Sequence, residues 1–187
     1  DMRIIGGSRR GLKLVEVGEG DAAAHLRPTS DRVREAVFNL LVNSQGVDLS
    51  GARVLDLFAG TGALGLEALS RGAAQATFVD DGAKALALIR ANVAKMRAEG
   101  ETLVLKQDVR RLGPNPGAGH GLVFLDPPYG KGLGELALAA ALKGGWLAPD
   151  ALVVWEEGGG PAVPEGFALL DQRRYGDTVV TLLRRVG

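Results

Sequence analysis

The sequence of 187 residues (19.5 kDa) is 46% hydrophobic and 24% charged, which predicts one soluble globular domain with a sizeable core. Because it contains no cysteine and only two histidines, disulfides, thiolate metal sites, cysteine nucleophiles and a histidine-built metal centre are excluded. The net charge is zero, and no apolar run approaches the roughly 20 residues of a membrane span. The first residues also lack the apolar stretch of a signal peptide. We therefore expect a cytoplasmic protein that binds neither membrane nor metal.

The N-terminal residues predict a basic hairpin and then a capped helix. Short apolar runs at 2–5 and 12–17 flank a glycine- and arginine-rich stretch at 6–11, which predicts a β-hairpin with a basic tip. Residues 18–28 are mostly small or polar and end on proline, so we expect a loop there. A helix is expected to start at Thr29-Ser30-Asp31, because these capping residues precede apolar residues at helical spacing.

Strands and helices alternate along the rest of the chain. Apolar strands are expected at 53–58, 76–80, 102–106, 122–126 and 152–156, and helices at 64–71, 83–98 and 134–142. Two last strands, at 167–175 and 178–184, are joined by a tight turn. This alternation predicts an α/β domain at 29–187, preceded by a basic hairpin extension at 1–28. The sheet is expected to be mostly parallel, covered on both faces, with an antiparallel edge.

A glycine loop, Gly60-Thr61-Gly62-Ala63-Leu64-Gly65, follows the first of these strands and opens a helix. It fits G-x-G-x-x-G within a βαβ unit and predicts a nucleotide-like cofactor. Asp80 ends the next strand and could accept hydrogen bonds from ribose, which suits NAD and S-adenosylmethionine equally. Asp56 precedes the loop, where a negative charge would repel a pyrophosphate but suits an ammonium or sulfonium group. Asp108 follows the third strand and could accept from an adenine amino group.

A proline turn, Asp126-Pro127-Pro128-Tyr129, directly follows the strand at 122–126. Its two prolines fix the backbone and hold Asp126 and Tyr129 at the carboxyl end of the sheet, where open α/β sheets bind ligands. The carboxylate and the Pro127 carbonyl can accept from an exocyclic amine, and Tyr129 offers a flat face for a base. Two acceptors on the amine hydrogens favour a pyramidal nitrogen with its lone pair aimed at a donor carbon. Together the two motifs predict methyl transfer from a sulfonium, which needs no metal.

Four stretches of the sequence occur in the order of a known family. They are Met2-Arg3-Ile4-Ile5-Gly6-Gly7 with Gly11-Leu12-Lys13-Leu14, Arg27-Pro28-Thr29-Ser30-Asp31-Arg32-Val33-Arg34-Glu35, Val54-Leu55-Asp56-Leu57-Phe58-Ala59-Gly60-Thr61-Gly62, and the proline turn. The last two are common to many methyltransferases. The first two resemble the RsmD family of bacterial methyltransferases, which make N2-methylguanine in small-subunit (16S) ribosomal RNA. The resemblance implies a Rossmann-like class I methyltransferase fold with a mostly parallel seven-stranded sheet, an antiparallel last strand and an N-terminal β-hairpin.

The resemblance also implies the residues of each site. The candidates for binding S-adenosylmethionine are Asp56, Phe58, Gly60, Thr61, Gly62, Asp80, Asp81, Asp108 and Val109. The candidates for holding the target base, and hence the catalytic residues, are Asp126, Pro127 and Tyr129. The family usually has a second acid two residues after the ribose acid. Gly82 stands there in this sequence, so either Asp80 or Asp81 could bind the ribose.

Basic residues concentrate near the two ends of the sequence. Residues 1–14 carry four basic residues and one acidic residue, and residues 173–187 carry the same numbers, whereas 35–172 carry 11 basic and 16 acidic residues. This segregation favours a nucleic-acid partner, expected to be ribosomal RNA or the small ribosomal subunit, bound by a monomer. The candidate RNA contacts are Arg3, Arg9, Arg10, Lys13, Arg27, Arg32 and Arg34. The stretch from Arg27 to Glu35 is equally compatible with a capped helix packed on the sheet, or with arginines that face RNA or the cofactor carboxylate.

Three other functions remain open. They are an adenine-N6 methyltransferase acting on DNA or RNA, an NAD-dependent dehydrogenase, and a non-catalytic RNA-binding assembly protein. The acceptor-only carboxylate of Asp126 matches the adjacent N1–H and N2–H donors of guanine, whereas an Asn amide would match adenine better. DNA adenine methyltransferases usually need a further DNA-reading domain, for which 187 residues leave little room.

Overall fold

The structure, a computed structural model, describes residues 2–16 and 30–187. The loop expected at 18–28, with Arg27, lies outside the described residues, and so does the expected domain boundary between residues 28 and 29. The helices are α1 (Asp31–Asn39), α2 (Ala63–Ser70), α3 (Ala83–Met96) and α4 (Leu133–Lys143). The Ser30 hydroxyl caps α1 by accepting from the Val33 N–H, and a π-helical turn at Leu40–Ser44 extends this helix.

Seven strands form one sheet. They are β1 (Arg53–Leu57), β2 (Gln75–Asp80), β3 (Thr102–Lys106), β4 (His120–Leu125), β5 (Leu147–Glu157), β6 (Phe167–Tyr175) and β7 (Thr178–Arg185). Their order is β3-β2-β1-β4-β5-β7-β6. The first five strands are parallel, and β7 runs antiparallel to both of its neighbours. The predicted mostly parallel sheet with an antiparallel last strand is therefore confirmed.

The strand order places a crevice between β1 and β4. The chain moves outward from β1 through β2 to β3 and then returns to the other side of β1 with β4, so the direction of winding reverses there. Ligands of open α/β sheets bind outside the carboxyl ends of the strands at such a switch point. The glycine loop follows β1 and the proline turn follows β4, and Leu57 and Leu125 are partners in the register. The two motifs therefore start side by side.

Side chains that alternate along β1 enter two hydrophobic cores. Val54 belongs to the core that contains residues of α1, α2 and α3, whereas Leu55 and Leu57 belong to the core that contains α4. Asp56 alternates with Leu55 and Leu57, so its carboxyl group points to the same side as Val54, where α2 begins. This alternation explains how a strand of apolar residues can present one acid to the start of a helix.

The N-terminal segment, residues 2–16, packs along α2. It forms an antiparallel bridge between Arg3 and Lys13, and the Ile4 N–H donates to the Leu12 carbonyl at 2.9 Å. The Leu14 N–H also donates to the Met2 carbonyl and the Gly11 N–H to the Ile4 carbonyl, both at 2.8 Å, so the predicted hairpin pairing is present. The Ile5 N–H points away from this pairing and donates to a side chain of α2. Met2, Ile4 and Leu14 are buried in the same core as α1, α2 and α3.

Candidate active site

The glycine loop turns sharply between β1 and α2. Phe58, Gly60 and Gly62 all have positive φ, at 56°, 60° and 80°. The Gly62 N–H donates to the Ala59 carbonyl at 2.8 Å and closes the turn. A non-glycine residue such as Phe58 is seldom found in this conformation, and such strain clusters at functional sites. A Cβ at Gly65 would lie 2.5 Å from the Phe78 ring, so α2 can approach β2 this closely only with glycine at that position.

Two of the acids predicted to bind the cofactor, Asp56 and Asp80, hold this loop through hydrogen bonds with its backbone. The Asp80 carboxylate accepts from the Gly60 N–H at 3.1 Å and from the Gly82 N–H at 2.9 Å, and Asp56 Oδ2 accepts from the Gly65 N–H at 3.0 Å. Burial raises the pKa of Asp56 well above its usual range, and repulsion from Asp126 and Asp80 adds to this. Burial also raises the pKa of Asp80. Both acids therefore favour a cation nearby, which would stabilise their ionised forms.

A cavity of about 540 Å³ opens above the loop. Ligand clefts that hold small molecules are of this size. Most of the predicted site residues line it: Asp56, Phe58, Gly60, Thr61, Asp80, Asp81, Asp108, Val109 and Asp126. The acid of the proline turn therefore faces the same space as the glycine loop. Five carboxylates line this space against the basic groups of Lys84, Lys131 and Arg110, so its walls carry an excess of negative charge.

Three predicted site residues are not part of the cavity wall. Gly62 caps α2, and a Cβ there would lie 3.4 Å from the Phe78 ring. Pro127 is buried, and Pro128 lines the cavity instead. Tyr129 is half-buried, and its hydroxyl is 2.9 Å from the Thr178 Oγ1 at the start of β7. The proline turn is thus held by its neighbours, and it presents Asp126 and Pro128 to the cavity.

A buried acid of β5 holds the far side of the proline turn. Glu157 Oε1 accepts from the Gly130 N–H at 3.1 Å. The ring of Tyr129 packs closely on Gly158, where a Cβ would lie 2.8 Å from the ring. The turn is therefore stiffened both by its own prolines and by the ends of β5 and β7, which fixes the position of Asp126 at the cavity.

Asp108 has a partner that the sequence analysis did not foresee. Its carboxylate binds the Arg110 guanidinium through two hydrogen bonds, at 3.0 and 2.8 Å. The hydrogen bond from Arg110 holds the pKa of Asp108 below its usual value.

The sequence did not predict three basic residues of the cavity wall, Lys84, Arg110 and Lys131. Their position within a few residues of a predicted site acid or the proline turn is the sequence signal that could have found them.

The predicted RNA contacts lie in different environments. Arg3, Arg10, Lys13 and Arg32 are exposed. Arg9 pairs with Glu101 at 3.5 Å, and the Ser8 N–H donates to the Ser70 carbonyl at the end of α2. The tip of the N-terminal segment therefore lies at the amino-terminal edge of the sheet, one helix length from the cavity.

The prediction that Arg34 contacts RNA or the cofactor is wrong. Its side chain is 0% exposed and lies between Asp31 Oδ1 at 2.7 Å and Glu67 Oε1 at 3.3 Å. It also donates to the Arg3 carbonyl. Glu67 is equally buried, so the two charges compensate each other inside the protein. At Arg34 the alternative of a capped helix packed on the sheet is the one observed, whereas Arg32 is exposed and stays a predicted RNA contact.

Within residues 2–16 and 30–187 no helix combines the length and the apolarity that a membrane crossing requires. The same ranges hold no group of three or more His, Asp or Glu residues arranged to bind a metal ion.

The chain is similar to known proteins over nearly its whole length. The family model described as Conserved hypothetical protein 95 matches residues 2–184. The Ribosomal RNA small subunit methyltransferase D of Escherichia coli K12 is 41% identical over 98% of this chain and 90% of its own length. The protein of the same name from Haemophilus influenzae is 35% identical over 94% of this chain and 90% of its own length. The solved structure of the Escherichia coli protein yhhF covers 99% of this chain and 98% of its own, at 38% identity and a TM-score of 0.80.

Proposed function

This chain belongs to the RsmD family, and on that premise we propose that it transfers a methyl group from S-adenosylmethionine to the exocyclic N2 amine of a guanine in small-subunit ribosomal RNA. Its fold is the Rossmann-like class I methyltransferase fold, as expected from the sequence. One observation carries the proposal: the acid of the proline turn lines the same cavity as the glycine loop and its acids. A donor and an acceptor bound at the two motifs would meet within that space.

The residues around the glycine loop fit the donor. S-adenosylmethionine, when bound, supplies a sulfonium methyl group as the electrophile, and it also carries an ammonium group. Asp56 and Asp80 lie beside the loop, and burial raises the pKa of both. A bound cation would favour their ionised, negatively charged forms. The exposed Asp81 at the end of β2 can accept from ribose hydroxyls, since Asp80 already accepts from two backbone N–H groups. A pyrophosphate would meet repulsion from these acids, which disfavours NAD.

The proline turn fits the acceptor. The half-buried carboxylate of Asp126 can accept from N1–H and N2–H of one guanine, since an ionised carboxylate has acceptors only. Held this way, the amine would direct its lone pair at the methyl carbon above the glycine loop. Placing two reactants in line can lower a barrier by roughly 7–11 kcal/mol, so positioning alone supplies much of the catalysis. A guanine within folded RNA must leave its stack to enter the cavity, which costs a few kcal/mol.

The proposal is tested by the modified nucleoside that the protein produces. Purified protein and S-adenosylmethionine are incubated with unmodified small subunits, with stripped 16S RNA and with duplex DNA, and the digested nucleosides are identified by mass spectrometry. We expect N2-methylguanosine from one or both ribosomal substrates and no product from DNA. N6-methyladenosine as the product, or a methylated DNA, would contradict the proposal.

We predict that the affinity for S-adenosylmethionine decreases as the pH is lowered. Burial raises the pKa of Asp56, so the free protein holds a proton there at a pH where an ordinary carboxyl group has lost it. A cationic ligand favours the ionised carboxylate, so binding releases this proton. Below the raised pKa the affinity should fall by up to about tenfold per pH unit for one proton. Calorimetry in buffers of different ionisation enthalpy measures both the affinity and the proton release.

Asp56→Asn is the control for this pH dependence. The variant should bind more weakly at neutral pH, because it lacks the negative charge. Its affinity should also depend less steeply on pH, and the dependence that is left is expected from Asp80, whose pKa burial also raises. Thermal unfolding over the same pH range separates ligand binding from acid denaturation. If Asp56→Asn retains the pH dependence of the unmodified protein, another group is responsible.

We also predict that the basic tip contributes to RNA binding through charge. Replacing Arg9, Arg10 and Lys13 with Ala should weaken RNA binding and reduce its salt dependence. Each lost phosphate contact lowers the slope of log K against log [salt] by about 0.7–0.9. The control variant carries Arg9→Lys, Arg10→Lys and Lys13→Arg, which keeps the charge and should keep the slope. An unchanged slope in the alanine variant would exclude these residues as phosphate contacts.

A further inference from the structure

The first half of the N-terminal segment, residues 2–9, contacts both α2 and the glycine loop. The Ile5 and Gly6 N–H groups donate to Glu67 of α2, at 3.0 and 2.9 Å. The Ser8 N–H donates to the carbonyl of Ser70 at the end of the same helix. At the opposite end of the segment, Met2 packs on the loop, with its Sδ 4.0 Å from the Thr61 Oγ1. The segment is therefore placed to influence the loop at which α2 begins.

Asn92 of α3 connects the two parts directly. Its side chain is completely buried and makes three hydrogen bonds. Its Oδ1 accepts from the Val15 N–H at 2.6 Å, and its Nδ2 donates to the Val15 carbonyl at 3.0 Å and to the Thr61 carbonyl at 3.0 Å. One amide thus holds both backbone groups of a residue in the N-terminal segment and one backbone group of the glycine loop.

The Thr61 carbonyl precedes Gly62, the N-cap of α2, so it lies outside the hydrogen-bond ladder of that helix. The Gly65 N–H, in the first turn of α2, is not available to it either, because it donates to Asp56. A buried carbonyl left without a donor is unfavourable, so the loop conformation requires a donor from another element. The Nδ2 of Asn92 provides it. The loop is therefore fixed at three points: Gly60 by Asp80, Gly65 by Asp56, and Thr61 by Asn92.

We propose that Asn92 is a positioning residue for the cofactor site, and that through it the N-terminal segment forms part of that site. The inference rests on the proposed function in one respect, namely that the glycine loop binds S-adenosylmethionine. Asn92 does not line the cavity, so it acts through Thr61, which does. Loss of the amide would free the loop and the end of the segment together. The affinity for S-adenosylmethionine should therefore fall, and the stability of the fold should fall with it.

The test compares two asparagines that make similar backbone contacts. Asn115 donates to the carbonyls of Ala118 and Gly145, in the loop before β4 and the turn after α4. These connections lie at the amino-terminal edge of the sheet, away from the cavity, so Asn115→Ala is a control for the loss of asparagine–backbone hydrogen bonds at a remote, half-buried position. For each variant, calorimetry gives the Kd for S-adenosylmethionine, steady-state assays give KM and kcat, and thermal unfolding gives Tm.

We expect Asn92→Ala to raise the Kd and KM for S-adenosylmethionine by about tenfold, with a smaller effect on kcat at saturating S-adenosylmethionine. Asn115→Ala should lower Tm and leave both constants unchanged. If Asn92→Ala does not fold, Asn92→Asp replaces it, because it keeps the acceptor for the Val15 N–H and loses the donor to the Thr61 and Val15 carbonyls. Equal Kd values in the unmodified protein and the folded Asn92 variant would overturn the inference. Failure of the unmodified protein to bind S-adenosylmethionine would instead contradict the proposed function.

Discussion

Replacing Asp126 with Asn is expected to reduce the rate of methyl transfer by about 100-fold or more at saturating S-adenosylmethionine, because a small misplacement of one reactant has an effect of this size. The substitution keeps the volume of the side chain but exchanges one acceptor oxygen for an NH2 donor. That donor would face a donor of guanine, so the base would lose one of the two contacts that orient it. Single-turnover kinetics with ribosomal RNA as the substrate measure the rate of the chemical step.

Asp150→Asn is the matched control for this prediction. Asp150 is exposed on β5 and has a φ of 59°, a conformation that Asn accepts readily. The Asp150→Asn substitution removes the same charge from a position outside the cavity wall, so it should leave the rate of methyl transfer unchanged. The affinity of Asp126→Asn for S-adenosylmethionine should also stay within a few-fold, because the glycine loop and its acids remain intact. A variant that transfers methyl groups as fast as the unmodified protein would show that Asp126 does not orient the acceptor.

The strands of this fold were predictable from sequence where local signals define both ends. The predicted bounds of β3 and β6, 102–106 and 167–175, are those observed, since polar residues flank β3 and a glycine flanks each end of β6. The strand predicted at 152–156 begins at Leu147 in the structure. Pro149 lies in that extension, and proline cannot donate to a sheet ladder, so the sequence argued against a strand there. An irregular register between His120 and Leu122 of β4 accommodates it.

The site was predictable where one motif carries the chemistry, and not where distant residues meet. The placement of Asp56, Asp80 and Asp126 on one cavity follows from strand ends that share one edge of a sheet. The burial of Arg34 does not follow from its neighbours, because its partner Glu67 lies in another helix. Asn92 was missed for the same reason. Both Glu67 and Asn92 are polar residues on buried helix faces, and such residues need partners, which is the signal that could have found them.

Glu67→Ala is expected to destabilise the protein by about 3–5 kcal/mol, since removal of one partner leaves a buried charge uncompensated. Glu67 and Arg34 both have fully buried side chains. The carboxylate of Glu67 also accepts from the Arg71 guanidinium at 2.9 Å and from the Ile5 and Gly6 N–H groups. Its loss therefore removes one carboxylate partner from two guanidinium groups, those of Arg34 and Arg71, and the acceptor of two backbone donors. Urea unfolding gives the change in free energy from the midpoint and the slope.

A double substitution separates the charge from the backbone contacts. In Arg34→Met/Glu67→Leu both buried charges are replaced by apolar groups, a change that is often neutral or stabilising for an isolated buried pair. Here the Ile5 and Gly6 N–H groups would still lack an acceptor, so we expect only part of the stability lost in Glu67→Ala to return. Full recovery would mean that the N-terminal segment gains little from Glu67.

Asp31→Asn provides the comparison for an exposed partner of the same arginine. Asp31 is 40% exposed, so its pairing with Arg34 is screened by water and its loss should cost no more than about 1 kcal/mol. The order of stabilities should therefore be Asp31→Asn above the double variant, and the double variant above Glu67→Ala. This order would distinguish a network that supports the N-terminal segment from an ordinary ion pair, because an ordinary pair would place the double variant at or above the unmodified protein.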